Sequence, residues 1–143
     1  MLIYLDFDGT VVEHVFPGMG RCNFGCFEII KKLQDAGHEI VLNTYRADIG
    51  QEHLNAATSM INDMCEYFIK DRSMRKEFEL LPISALAKKI HPPRFDMNEA
   101  VRSGVLYIDD NSYGTPLKPA VMSNGMMVDW DALDLIFQQY KLY

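Results

Sequence analysis

The sequence contains no unbroken apolar run of about 18 residues, the length a membrane-crossing helix needs. Its opening residues are apolar, but Asp6 and Asp8 interrupt them too early for a secretory signal. The chain therefore reads as cytoplasmic, with no membrane partner. Cysteine is scarce and odd in number: Cys22, Cys26 and Cys65 cannot form a complete disulfide framework. Cys22 and Cys26 lack the CxxC spacing of a redox pair, and His14, His38, His53 and His91 are too scattered to complete a zinc site. Free thiols in a reducing compartment are expected. Positive charge is short as well, with 14 Lys and Arg against 20 Asp and Glu and a net charge of -6. A strongly basic nucleic-acid face is not expected from that balance.

What is present fits one folded unit. The chain has 143 residues, 48% of them apolar and 24% charged, an ordinary balance for one domain spanning 1–143. No repeat, low-complexity tract or linker divides it. Residues 2–7 are short, apolar and end at Asp8-Gly9, which predicts a buried strand running into a turn. Pro17, Gly18, Gly20 and Gly25 mark 11–24 as loop or a small hairpin. Phe27, Ile30 and Leu33 predict a helix over 26–36 that Gly37 stops, followed by a buried strand over 39–43. Leu54, Ala57, Ile61 and Met64 share one face of a helix over 51–64, and 67–70 reads as a strand. A short helix is expected over 81–89 and another over 96–103, with a buried strand at 105–108. A strand or hairpin is expected over 121–128, then a helix N-capped by Asp129. Strands alternating with helices imply an α/β fold, with a mainly parallel sheet covered on both faces. The Met-rich run 122–127 reads as core, with a subunit contact as the alternative.

Three of these strands end in polar groups suited to chemistry: Asp6 and Asp8, Thr44, and Asp109 with Asp110. In open α/β sheets, ligands bind beyond the carboxyl ends of the strands. Residues two apart on a strand point to the same side, so Asp6 and Asp8 reach one site if the strand bends at its end. Paired carboxylates repel, and a cation between them keeps both ionised. All-oxygen ligands favour a hard ion such as Mg²⁺. Gly9 permits a sharp turn, and Thr10 offers a hydroxyl to an anion.

The string Asp6-Phe7-Asp8-Gly9-Thr10 after an apolar strand resembles the first motif of the haloacid dehalogenase-like superfamily, in its phosphatase branch. The resemblance implies a three-layer sandwich with a Rossmann-like core. It makes Asp6 the nucleophile that forms an aspartyl-phosphate and Asp8 the general acid and base. Mg²⁺ is then bound by the Asp6 side chain and the Asp8 backbone carbonyl. Residues 40–44 resemble the second motif, in which Thr44 hydrogen-bonds a phosphoryl oxygen. Asn43 is more polar than that pattern usually has, and Arg46 is placed to contact the phosphate or leaving group. For the third motif, a Lys that neutralises the phosphate, Lys89 is the leading candidate, with Lys88 and Arg94 as alternatives. Asp109 and Asp110 resemble the fourth motif and complete the metal shell, Asp110 directly and Asp109 in support. A further acid common in relatives is replaced by 111–113.

The segments between these motifs are largely consumed by predicted core elements, so no separate cap domain is expected. An open site of that kind suits large phosphorylated substrates or a partner subunit, including a second copy of the chain, acting as lid. The loop over 11–25 is the expected local flap, with Glu13 and His14 as candidate specificity residues. The expected activity is Mg²⁺-dependent phosphomonoester hydrolysis. A nucleotide or nucleic-acid-end phosphatase and a non-catalytic phosphate-binding scaffold are the alternatives.

Overall fold

The computed structural model describes residues 1–70 and 80–143, of which 64–70 are described by backbone alone. Four parallel strands form the central sheet in the order β3-β2-β1-β4: β1 (Leu2–Leu5), β2 (Glu39–Leu42), β3 (Ser84–Ala85) and β4 (Val105–Ile108). Ile3 and Leu5 of β1 and Leu106 and Ile108 of β4 are almost wholly buried. The chain leaves β1 toward β2 and β3, then crosses back to place β4 on the other side of β1. That reversal makes the gap between β1 and β4 the switch point, where crevices form beyond the strand ends.

Register decides what lies at that edge. Leu5 pairs with Leu42 on one side and Ile108 on the other. Asp6, Asn43 and Asp109 therefore leave the sheet at one level. Backbone hydrogen bonds hold them there, from Asp6 N to Ile108 O at 2.9 Å and from Asn43 N to Leu5 O at 2.7 Å.

Helices flank the sheet. Helix α1 (Cys26–Asp35) buries Phe27, Ile30 and Leu33 and packs on β2. Helix α2 (Arg46–Ile49) is a single turn leading into α3 (Gln51–Lys70). Helix α4 (Met97–Ser103) is capped by Asp96, which accepts from Glu99 N, and is closed by Gly104 at φ 77. It packs on β4. Helix α5 (Trp130–Gln139) is capped by Asp129, which accepts from Ala132 N at 3.1 Å, and packs against α1. A two-stranded antiparallel hairpin, β5 (Leu117–Pro119) and β6 (Met126–Val128), precedes it. No helix among the described residues is long and apolar enough to cross a membrane.

Three local expectations are corrected. The strand expected at 67–70 is the last part of α3. No Gly or Pro interrupts 51–70, and the buried face that begins with Leu54, Ala57 and Ile61 propagates the helix. The helix expected over 81–89 is replaced by β3, because Ser84 and Ala85 pair with Val41 and Leu42 at the open edge of β2. Backbone pairing there outweighs local helix preference. In the Met-rich run only Met127 is buried, whereas Met122 and Met126 are about half exposed. The short hairpin gives those side chains no second layer to enter. Residues 71–79 lie outside the described residues.

Candidate active site

The turn after β1 is built around Gly9, whose φ is +81. A Cβ there would lie 2.2 Å from Asp110 Oδ2, so only glycine permits the approach of Asp110. Thr10 follows, fully buried, and its carbonyl accepts from Trp130 Nε1 at 2.9 Å and Asn23 Nδ2 at 3.0 Å. Those bonds aim the Thr10 hydroxyl back into the site. It donates to Asp6 Oδ2 at 3.3 Å and accepts from Asp110 N at the same distance.

Asp6, Asp109 and Asp110 converge, each offering an oxygen within 4.8 Å of the others. Lys89 Nζ bridges two of them, 3.1 Å from Asp6 Oδ1 and 2.8 Å from Asp109 Oδ2. Its position is secured by its neighbours. Asn43 clamps the next residue with paired bonds, Nδ2 to Ile90 O at 2.9 Å and Ile90 N to Oδ1 at 2.8 Å. The polar residue at the end of β2 thus holds the segment that carries Lys89, a role its sequence position did not signal. Arg94 is exposed and pairs with Asp96 instead.

Three carboxylates against one ammonium leave two negative charges uncompensated. Burial, then repulsion from Asp109, pushes Asp6 well above the ordinary aspartate value of 3.8, against the pull of Lys89. Burial also raises Asp110, although a hydrogen bond with Asp6 opposes the shift. For Lys89, the attraction of Asp6 and Asp109 outweighs the lowering effect of burial. Asp110 Oδ1 is buried with no hydrogen-bond partner. An all-oxygen donor set, an orphaned carboxylate oxygen and a local charge deficit of two fit a hard divalent cation. Ligands of one Mg²⁺ at about 2.0–2.1 Å lie up to about 4.2 Å apart, so small side-chain movements would gather all three.

Asp8 takes a separate path. Its carboxylate is gripped by Arg46, Nε to Oδ2 at 2.7 Å and Nη2 to Oδ1 at 2.8 Å. Arg46 is buried between the rings of Phe7 and Phe16 and also donates to Gly18 O at 2.8 Å. The sequence placed Arg46 toward a phosphate; in the structure these donors go to Asp8 and the loop. Thr44 is buried beside it, its hydroxyl accepting from Arg46 N at 3.2 Å.

The chain, compared with family models, curated proteins and solved structures, matches none of them.

A cavity of about 240 Å³ joins these parts, lined by Asp6, Asp8, His14, Phe16, Thr44, Tyr45, Arg46, Lys89 and Asn111. His14 is an exposed wall residue. Glu13 points elsewhere: its buried carboxylate accepts from Val121 N, Met122 N and Arg21 Nε, tying the loop to the hairpin. Phe16, Tyr45 and Asn111 also line the cavity, and sequence reasoning did not select them. Tyr45 lies between Thr44 and Arg46 and Asn111 follows Asp110, the cues available; Phe16 comes from a loop with no pattern to read.

Proposed function

We propose that the chain is a Mg²⁺-dependent phosphomonoester hydrolase of the haloacid dehalogenase-like type, with Asp6 as nucleophile. The observation that carries this reading is the convergence of Asp6, Asp109, Asp110 and Lys89 at the ends of adjacent parallel strands. A carboxylate nucleophile is otherwise a poor match for a dianionic phosphate, since the two repel. Lys89 offsets that repulsion directly, because its ammonium touches Asp6 on the side open to the cavity. Mg²⁺, held by Asp6, Asp109 and Asp110, would supply the further positive charge that the transferring phosphoryl group requires.

In the first step an Asp6 oxygen attacks phosphorus, the bond to the leaving oxygen breaks, and Asp8, released from Arg46 and carrying a proton taken from solvent as substrate enters, delivers that proton to the leaving oxygen. In the second step water attacks phosphorus, Asp8 takes the proton back, and the bond to Asp6 breaks to release phosphate. Thr44 would hydrogen-bond a phosphoryl oxygen, and Thr10 would orient Asp6. The cavity is smaller than the roughly 300–1,000 Å³ of sites that enclose a drug-sized ligand. That size supports a capless site that takes the phosphoryl group while most of the substrate stays outside, as for a phosphorylated macromolecule.

Release of phosphate from an aryl phosphate, with Mg²⁺ and with chelator, tests the proposal in wild type and Asp6→Asn. Metal-dependent turnover that disappears in the variant is expected. Absence of both turnover and Mg²⁺ binding would overturn it.

A further inference from the structure

The wall behind Thr10 carries two thiols that the proposed chemistry does not use. Cys22 lies on the returning arm of the loop, where it bridges Val12, and Cys26 is the first residue of α1. Gly25 between them has φ 86, and the left-handed turn folds the segment back on itself. The two sulfurs consequently lie 3.9 Å apart despite a spacing that matches no redox motif. Cys26 is fully buried and Cys22 is partly exposed. We propose that Cys22 and Cys26 form a reversible intrachain disulfide, with Cys22 as the thiol attacked first by a hydroperoxide and Cys26 as the resolving thiol.

The geometry divides the roles. An oxidant reaches Cys22 and cannot reach Cys26. The hydrogen bond shared with Cys26 lowers Cys22 below the ordinary thiol value, whereas burial raises Cys26 well above it. The more thiolate-like sulfur is thus the accessible one. In the first step the Cys22 sulfur attacks the hydroperoxide. The O–O bond breaks, an alcohol or water leaves, and Cys22 becomes a sulfenic acid. In the second step Cys26 sulfur attacks Cys22 sulfur, and the hydroxyl departs as water with the Cys26 proton. The two thiols lose two electrons and the hydroperoxide gains them. Closing 3.9 Å to a bond of about 2.05 Å demands an approach of about 1.9 Å.

That approach is felt at the site. Asn23, next to Cys22, donates to Thr10 O at 3.0 Å and Val128 O at 2.7 Å. Trp130, the single tryptophan of the chain, donates to the same Thr10 carbonyl at 2.9 Å and therefore reports on it. The proposal does not depend on the phosphatase reading, and neither does its test.

The purified full chain and its Cys65→Ser variant are treated with hydrogen peroxide, alkylated and mapped by mass spectrometry, with Trp130 emission followed in parallel. The expected result is a Cys22–Cys26 peptide lighter by two hydrogens and protected from alkylation. Trp130 emission should shift with it, and dithiothreitol should reverse both changes. In Cys26→Ser, Cys22 should stop at a sulfenic acid trapped by a cyclic dione. Full alkylation of both thiols after treatment, Cys22 advancing to a sulfinic acid while Cys26 stays free, or a bridge to Cys65 would each overturn the pair. A disulfide formed without any change in Trp130 emission would overturn its coupling to Thr10.

Discussion

The Arg46 guanidinium holds both carboxylate oxygens of Asp8 at 2.7 and 2.8 Å while its third hydrogen bond goes to the Gly18 carbonyl of the neighbouring loop. The guanidinium therefore joins Asp8 to the loop that carries Gly18. A fork of this kind fixes the carboxylate in plane as well as in position. Proton transfer by Asp8 would require this grip to loosen as substrate enters, which makes the pair a control point for the proposed reaction.

Replacing Arg46 by Ala leaves a buried carboxylate without its cation. The expected cost is about 3–5 kcal/mol of folding stability. Arg46→Lys should recover part of it, because it restores charge without the fork. Urea denaturation of the three proteins measures this. A loss for the Ala variant below about 1 kcal/mol would show that the pair is not the anchor described.

Asp6 gives the metal-free protein an inverted pH dependence. Its folded value lies above 3.8, so between the unfolded and folded values the native state binds the extra proton. Stability of metal-free protein should fall as pH rises through that window, starting just above 3.8. Below it the group is protonated in both states and contributes nothing. Mg²⁺ should restore stability at neutral pH, by about 2.7 kcal/mol at a hundredfold excess over its dissociation constant. Asp6→Asn should remove this component, so its stability relative to wild type should improve as pH rises through the window. Thermal melting across pH, with chelator and with Mg²⁺, reads all three, and a stability difference between Asp6→Asn and wild type that does not grow with pH in chelator would refute the assignment.

Gly9→Ala should damage the metal site more than the fold. The left-handed φ costs a non-glycine residue about 1–2 kcal/mol. The added Cβ, 2.2 Å from Asp110 Oδ2, must displace that carboxylate. Mg²⁺ affinity should fall by about 10-fold or more, the scale on which disturbed ligand positioning acts. Calorimetric titration with Mg²⁺ provides the measurement.

Lys89→Met keeps the side-chain length and removes the charge shared by Asp6 and Asp109. Turnover of an aryl phosphate should fall by about 10²–10³, the cost of deleting one well-placed electrostatic contact. Lys88→Met should leave it near the wild-type rate. Equal effects at the two positions would reject the special role of Lys89.

The buried strands and the order of polar groups at their ends were legible because each is a local pattern. Apolar runs at 2–5, 39–42 and 105–108 carry the parallel sheet; Asp6, Asn43 and Asp109 follow them directly, with Thr44 one residue later. Failures fell where partners are distant. Ser84 and Ala85 look helical alone and become a strand only because the edge of β2 is open. Residues 67–70 look like a strand alone and continue a helix already under way. Glu13 resembled a site residue, yet its carboxylate is used up by the backbone of the hairpin more than a hundred residues later.

Sequence alone determined the inventory: an acidic chain with an α/β pattern, carboxylates and a threonine at strand ends, and a glycine at the first turn. These follow from short-range periodicity and backbone conformation, which neighbouring residues set. Tertiary structure decided the pairings. It chose Lys89 over Arg94 as the cation beside Asp6, gave Arg46 to Asp8, and brought the Cys22 and Cys26 sulfurs to 3.9 Å. Distance and burial govern charge pairing and thiol contact, and both are properties of the folded chain in space.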